Sequence, residues 1–287
     1  MPELPEVEVI RQSISPLLVG RRLKTITTTR SSSFFLTPPA TLRRRLVGRR
    51  ALGLERRGKY LLVDLDDGAR LLLHLGMTGQ LFSSTARSPR LVSAEARSGV
   101  PRKFVPDAHT HLVIAFTDRG PDLVFRDVRK FGKVRWLATG KSDPRLDKLG
   151  PDALSVSGAH LHEATRRRSA PIKTVLLDQL VLAGVGNIYA DEALFLAKQR
   201  PTRRARSLTR GDYDRLATSV HGVLEAGIAA GGSSIDDFVR PDGEDGGYQH
   251  NHRVYGRAGQ PCSRCGMAIR RLVIGQRSSC FCPHCQR

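Results

Sequence analysis

The 287-residue chain has no cysteine before position 262, no internal repeat, no run of about 18 uncharged apolar residues and few lysines. Each shortage excludes something. Without a long apolar run, no membrane-spanning helix is expected. The start, Met1-Pro2-Glu3-Leu4-Pro5-Glu6, places acid where a secretory signal carries its positive region, so a cytoplasmic protein is expected. Cysteines confined to 262, 265, 280, 282 and 285 argue, in a reducing compartment, for metal rather than a disulfide framework. Arginine is what abounds. It supplies 38 of the 47 cations, and with 27 acids the net charge is +20. Such a surface seeks a polyanion, and the guanidinium fork, which grips phosphate bidentately, favours nucleic acid over an acidic membrane face. With 40% hydrophobic residues a true core can form, and the length suits two domains better than one.

Along the chain, Val7, Ile10, Ile14 and Leu17 recur at helical spacing, which predicts a helix from Pro5 to Leu18 stopped by Pro16 and Gly20. From about Arg22 to Trp136 the texture is short β-rich runs. Tyr60–Val63, Arg70–Leu73, His111–Phe116 and Leu123–Phe125 are set off by turns such as Asp66-Asp67-Gly68, as in a β-sandwich. Residues Ser83 to Pro106 read as a flexible surface loop, and a boundary is expected at Thr139–Pro144. Helical patterns follow over Pro171–Leu182, Asn187–Ala197 and Thr209–Ala229, and Gly231–Gly247 reads as a mobile loop.

Three motifs carry chemistry. Cys262-Ser263-Arg264-Cys265 and Cys282-Pro283-His284-Cys285, sixteen residues apart, have the spacing of a closed four-thiolate zinc site. Such a site is structural, with Cys280 a bystander and His284 surplus to the tetrahedron. Around Gly184-Val185-Gly186-Asn187 the chain reads as helix, tight turn, helix. Asn187 is a candidate N-cap, and the second helix's free N–H groups suit phosphate. The same spacing also suits a plain helical hairpin in which Asn187 satisfies its own backbone. Third, removal of Met1 exposes Pro2 as a secondary amine, which forms with an aldehyde-like carbon an iminium that is a ready electron sink. Glu3 and Glu6 lie beside it for proton transfer and base contact, although acids also favour helix N-termini for dipole reasons alone.

Pro2-Glu3-Leu4-Pro5-Glu6-Val7-Glu8, Gly184-Val185-Gly186-Asn187-Ile188-Tyr189-Ala190-Asp191-Glu192 and the four-cysteine tail occur in one order. Arg57-Gly58-Lys59-Tyr60-Leu61, His74-Leu75-Gly76-Met77-Thr78-Gly79, Arg129-Lys130-Phe131-Gly132 and Val254-Tyr255-Gly256-Arg257 join them. Over essentially its whole length the chain resembles the Fpg/Nei family, specifically the bacterial formamidopyrimidine-DNA glycosylases. The resemblance implies an α+β multidomain fold: a β-sandwich with flanking helices over 1–138, a helix-two-turn-helix domain over 150–250 and a zinc-finger β-hairpin over 251–287. It implies one structural zinc on Cys262, Cys265, Cys282 and Cys285, and a monomer in the nucleoid region of a bacterium. The implied partner is double-stranded DNA containing oxidised bases or abasic sites.

The implied activity is a DNA glycosylase/AP lyase for 8-oxoguanine and formamidopyrimidines, acting by β,δ-elimination. Pro2 would form the Schiff base at the sugar C1′ and Glu3 would donate the proton that helps open the sugar. Lys59 would assist β-elimination and hold phosphate, and Arg277 would hold the phosphate flanking the lesion and assist δ-elimination. Met77, Arg129 and Phe131 would fill the void left by the extruded nucleotide, since wedges replace lost stacking. His74 and Asn187 would contact backbone phosphate, His109 and Arg168 would contact DNA, and Glu6 would face the damaged base. Where many members read Asp-Pro-Arg-Arg-Phe-Gly, this chain has Asp127-Val128-Arg129-Lys130-Phe131-Gly132. Two rivals stand beside this reading: the same chemistry on oxidised pyrimidines, and a non-catalytic zinc-finger protein that only binds DNA.

Overall fold

The structure, a computed structural model, describes residues 1–88, 91, 104–235 and 237–287. Its contacts divide the chain into two compact units, Met1–Pro144 with Ala230–Gly247, and Arg145–Ala229 with Tyr248–Arg287. Residues 230–247, expected within the 150–250 segment, therefore belong with the N-terminal unit. The finger, expected as a separate segment over 251–287, belongs with the helices.

In the first unit, helix α1 (Leu4–Leu18) and helix α2 (Pro39–Leu46) accompany two four-stranded antiparallel sheets. One sheet runs β1 (Leu23–Thr28), β6 (Thr110–Phe116), β7 (Leu123–Asp127), β5 (Gly79–Ser83). The other runs β2 (Ala51–Arg57), β3 (Tyr60–Leu65), β4 (Arg70–His74), β8 (Lys133–Leu137). The strand runs read from sequence thus become β3, β4, β6 and β7. Helix α1 buries Val7, Ile10, Ile14 and Leu18 in one cluster with Leu61, Val63, Leu71 and Leu73. Each such side chain stabilises by roughly 1.5–3 kcal/mol.

Pro16 does not stop the helix: it lies within the last turn, and Val19 N–H still closes on Ser15 O at 2.9 Å. A proline there costs a single backbone bond near an end that frays in any case. The expected loop over Ser83–Pro106 lies largely outside the described residues. Of its described positions, Ser83 ends β5, and Ala86, Leu91 and Phe104 are buried in a small cluster with Phe82 and Val124. The stretch expected as a mobile loop is packed instead: Ser233 and Ser234 are buried, and Gln80 Nε2 donates to Asp237 O at 2.8 Å.

The second unit holds α3 (Pro144–Asp147, from Arg145 onward), α4 (Gly158–Thr165), α5 (Ile172–Leu176), α6 (Asn187–Leu196), α7 (Arg210–Ala229) and the hairpin β9 (Arg270–Ile274)–β10 (Arg277–Phe281). Helix α5 ends six residues before the expected Leu182. The Asp178 carboxylate takes Leu180 N–H at 3.0 Å, while Gln179 bonds Leu177 O, Val185 O and Gly184 N–H. These side-chain bonds compete with the helix ladder and turn the chain. Helix α6 lies so close to α7 that a Cβ on Gly227 would meet the buried Tyr189 ring at 2.6 Å.

Candidate DNA-processing site

In the first unit the chain becomes buried directly after the exposed Met1, as it enters helix α1. Pro2 is buried, and Glu3 and Glu6 are only 3% and 1% exposed. Glu3 is the N-cap position, and its N–H donates to Glu6 Oε2 at 2.8 Å. The other Glu6 oxygen accepts Ser233 N–H at 2.9 Å. One carboxylate thus ties the segment bearing Pro2 to residues 232–234. Gly232, at φ +83°, permits this approach, since a Cβ there would meet Glu6 Cγ at 3.1 Å.

Lys59, 7% exposed, sits in the two-residue turn joining β2 to β3, where Gly58 takes φ +57°. His74 ends β4 directly opposite Tyr60, and their rings lie 4.6 Å apart. The turn that carries Lys59 and the strand end that carries His74 are therefore neighbours.

The three expected wedge residues come together. Met77 and Phe131 are large apolar side chains left 40% and 47% exposed, and the Arg129 guanidinium lies 4.6 Å from the Phe131 ring. Gly76, at φ +65°, allows the two loops to touch backbone to backbone: a Cβ on it would meet Gly132 N and Phe131 C at 2.5 Å. Exposed apolar side chains gathered on adjoining loops are the kind of surface that marks an interaction site. Behind them lies Asp127, fully buried. Its Oδ1 accepts Thr78 Oγ1–H at 2.5 Å and Arg129 N–H at 3.2 Å, and its Oδ2 accepts Gly132 N–H at 2.7 Å. His111, whose burial lowers its pKa, donates Nε2–H to Asp127 O at 2.9 Å, leaving Nδ1 to accept from Thr29 Oγ1 at 3.1 Å. His109 lies half-buried beside this tie through its backbone, which accepts Asp127 N–H.

In the second unit the cap of α6 is Gly186, not Asn187, which is the first helical residue. Asn187 Oδ1 is buried without a hydrogen-bond partner, so the side chain is not spent on its own helix start. Arg168 and Arg277 line one pocket of about 310 Å³ with Thr174, Asp178 and Gly275, and Asp178 holds Arg168 at 2.8 Å.

The finger is anchored by acids that the sequence reading left without a role. Asp191 accepts Lys173 Nζ at 2.7 Å, Ser279 Oγ–H at 2.9 Å and Cys280 N–H at 2.9 Å. Burial raises its pKa to about 6 against the pull of Lys173. Glu192 accepts the N–H groups of Arg253, Val254 and Tyr255. Their only sequence signal was an acid pair inside an otherwise apolar helix.

The Sγ atoms of Cys262, Cys265, Cys282 and Cys285 all lie within 4.8 Å of one another, with Cys262–Cys285 at 3.9 Å and Cys265–Cys282 at 3.5 Å. Four sulfurs bound at about 2.3 Å form a tetrahedron with edges of about 3.8 Å. The cluster fits zinc. Burial and the neighbouring thiols push Cys285 up to about 12, so four thiolates persist together only around a cation. With four sulfurs the shell is closed and the zinc is structural. Cys280 and the exposed His284 stand outside the cluster.

Residues 1–134 match the formamidopyrimidine-DNA glycosylase N-terminal domain, 149–239 the H2TH domain of the same enzymes, and 259–287 the zinc finger found in FPG and IleRS. Formamidopyrimidine-DNA glycosylases of Stenotrophomonas maltophilia (strain R551-3) and Acidithiobacillus ferrooxidans (strain ATCC 53993) are 41% and 42% identical, each over the full length of both chains. A Lactococcus lactis FPG point mutant in complex with Fapy-dG-containing DNA superposes with a TM-score of 0.86 at 34% identity, covering 100% of both chains. The MutM (FPG) protein of Thermus thermophilus gives 0.83 at 38% identity, over 99% of this chain and 98% of its own. No helix of the described residues is long and apolar enough to cross a membrane.

Proposed function

The chain belongs to the formamidopyrimidine-DNA glycosylase family, and on that premise we propose that it is a bifunctional glycosylase/AP lyase that excises oxidised purines from duplex DNA. The observation that carries this reading is the burial of Pro2, Glu3 and Glu6 at the head of α1, where Glu6 holds the Glu3 N–H. A secondary amine released beside two buried acids has no purpose in a protein that only binds DNA.

Once Met1 is removed, the Pro2 nitrogen bonds to C1′ and the damaged base leaves with the glycosidic electron pair. Glu3 delivers a proton to the ring oxygen as the sugar opens to the iminium. Loss of a C2′ proton then expels the 3′ phosphate, and a second elimination expels the 5′ phosphate. Lys59 assists the first elimination. Arg277 holds the flanking phosphate through the second, in the pocket it shares with Arg168. Met77, Arg129 and Phe131 occupy the space of the extruded nucleotide, offsetting an unstacking cost of a few kcal/mol. Asn187 and His74 hold backbone phosphates, His109 contacts DNA, and Glu6 faces the base while fixing residues 232–234. The protein acts as a monomer in the bacterial cytoplasm, at the nucleoid.

Borohydride trapping on duplexes carrying 8-oxoguanine, thymine glycol or no lesion tests this. We expect a covalent adduct chiefly with 8-oxoguanine, formed much more slowly by Pro2→Gly; a Pro2→Gly protein that traps and cleaves at the wild-type rate refutes the assigned nucleophile. Absence of any adduct, with Met1 shown to be removed, refutes the enzyme reading. Preferential trapping on thymine glycol moves the substrate to oxidised pyrimidines.

A further inference from the structure

Two charged residues outside the assigned machinery link its parts. Glu8 lies on α1, six residues beyond Pro2, and Arg56 is the penultimate residue of β2, with its side chain 9% exposed. Arg56 Nε–H donates to Glu8 Oε2 at 2.9 Å, and its Nη1–H donates to Gly58 O at 3.1 Å. The far side of Glu8 is filled: Arg11 Nη2 reaches Oε1 at 2.7 Å and Gln12 Nε2 reaches Oε1 at 2.9 Å. Although burial opposes it, these donors lower the Glu8 pKa, so the carboxylate stays charged.

The Gly58 carbonyl belongs to the peptide group whose nitrogen is that of Lys59. A bond to that oxygen restrains the plane of the peptide and with it the Lys59 N–Cα axis, which narrows the directions in which the Lys59 side chain departs. A two-residue turn with Gly58 at positive φ is conformationally permissive, and such a tie narrows it. Arg56 therefore connects two elements: the helix whose N-cap Glu3 directly follows Pro2, and the turn that carries Lys59.

We propose that Glu8 and Arg56 form a positioning pair that sets the Lys59 amine relative to Pro2, and so governs strand elimination more than base release. The proposal rests on the roles of Pro2 and Lys59 given above. Neither Glu8 nor Arg56 touches substrate in it; both act through the peptide they hold.

The test follows both steps on one 8-oxoguanine duplex in single turnover, with base release revealed by alkali and nicking read directly. Arg56→Gln and Glu8→Gln should lower the ratio of nicking to base release about tenfold or more, and the double variant should be no worse than Arg56→Gln. Arg56→Lys, which can reach one of the two partners, should recover part of the ratio. Added to Lys59→Ala, Arg56→Gln should change the ratio no further. A purely structural pair would lower the melting temperature and slow both steps alike, and that result, or an unchanged ratio in Glu8→Gln, overturns the proposal. Glu8→Gln preserves shape and volume, so it is informative even where Arg56→Gln is poorly folded. Wild-type protein that traps no adduct instead sinks the enzyme reading, a separate outcome.

Discussion

Replacing Asp127 by alanine strikes the proposed wedge from behind, without touching Met77, Arg129 or Phe131. The carboxylate is fully buried and serves three donors, so its removal leaves Gly132 N–H and Thr78 O–H without their acceptor. Arg129 N–H keeps Thr78 Oγ1 at 3.1 Å. At about 1–3 kcal/mol for each stranded donor, the loss is about 2–4 kcal/mol, since the Thr78 hydroxyl can turn elsewhere. The loop is also strained at Lys130, held at φ +56°, which adds to its tendency to let go once untied. Asp127→Asn keeps one acceptor and should cost about half as much.

Trp136 is the chain's sole tryptophan and lies on β8 of the same unit, so its fluorescence follows the unfolding of that unit in urea. At a slope of about 2 kcal/mol/M the midpoint should fall by about 1–2 M in Asp127→Ala. Cleavage of an 8-oxoguanine duplex should drop about 10- to 100-fold as the wedge loses its fixed orientation, while binding of undamaged duplex stays within about twofold. An unshifted midpoint with wild-type cleavage would refute the account of this loop.

Two further outcomes are expected. Stripping zinc with a strong chelator should abolish tight DNA binding and open residues 259–287 to proteolysis, while Trp136 unfolding is unchanged; intact binding after metal loss would contradict the structural role of the site. Burial lowers the pKa of His252 from 6.5 to about 4, so the unfolded chain binds its proton first. That contribution is full above pH 6.5 and is lost as pH falls toward 4, by up to about 3 kcal/mol, and the wild type should show this loss relative to His252→Phe in far-UV unfolding.

The fold was legible where physics is local. The three- and four-residue spacing of Val7, Ile10 and Ile14 gave α1, and the apolar runs gave β3, β4, β6 and β7. Helix α2, with Arg43, Arg44 and Arg45 crowding its last turn, has too short an apolar stripe to announce itself. Helix α5 was overdrawn because Val181 and Leu182 continue the helical spacing, while Asp178 and Gln179 bond the backbone and end it. In the candidate site, the spacing of the four cysteines was sufficient by itself. What no local reading reaches are partners far apart in sequence: Arg56 and Glu8 are 48 residues apart, Thr78 and Asp127 are 49, and Ser279 and Asp191 are 88.

Those distant partners also change the meaning of the net charge. Among the described residues the buried acids are Glu3, Glu6, Glu8, Asp127, Asp143, Asp191, Glu192 and Asp212, whereas the buried cations are only Lys59, Arg126 and Lys173. Acids are the minority charge, yet they supply most of the buried charge. Many are there because a carboxylate accepts two or more N–H groups at once: Glu6 joins α1 to Ser233, and Glu192 holds three consecutive backbone amides. Moving acids inward leaves the surface more basic than +20 suggests, which steepens the salt dependence of DNA binding without adding any preference for damage. Discrimination has to come from groups fixed in place. In this chain the fixing is done by the same buried carboxylates, so a neutralising substitution at Glu8 or Asp127 should cost selectivity or chemistry before it costs affinity.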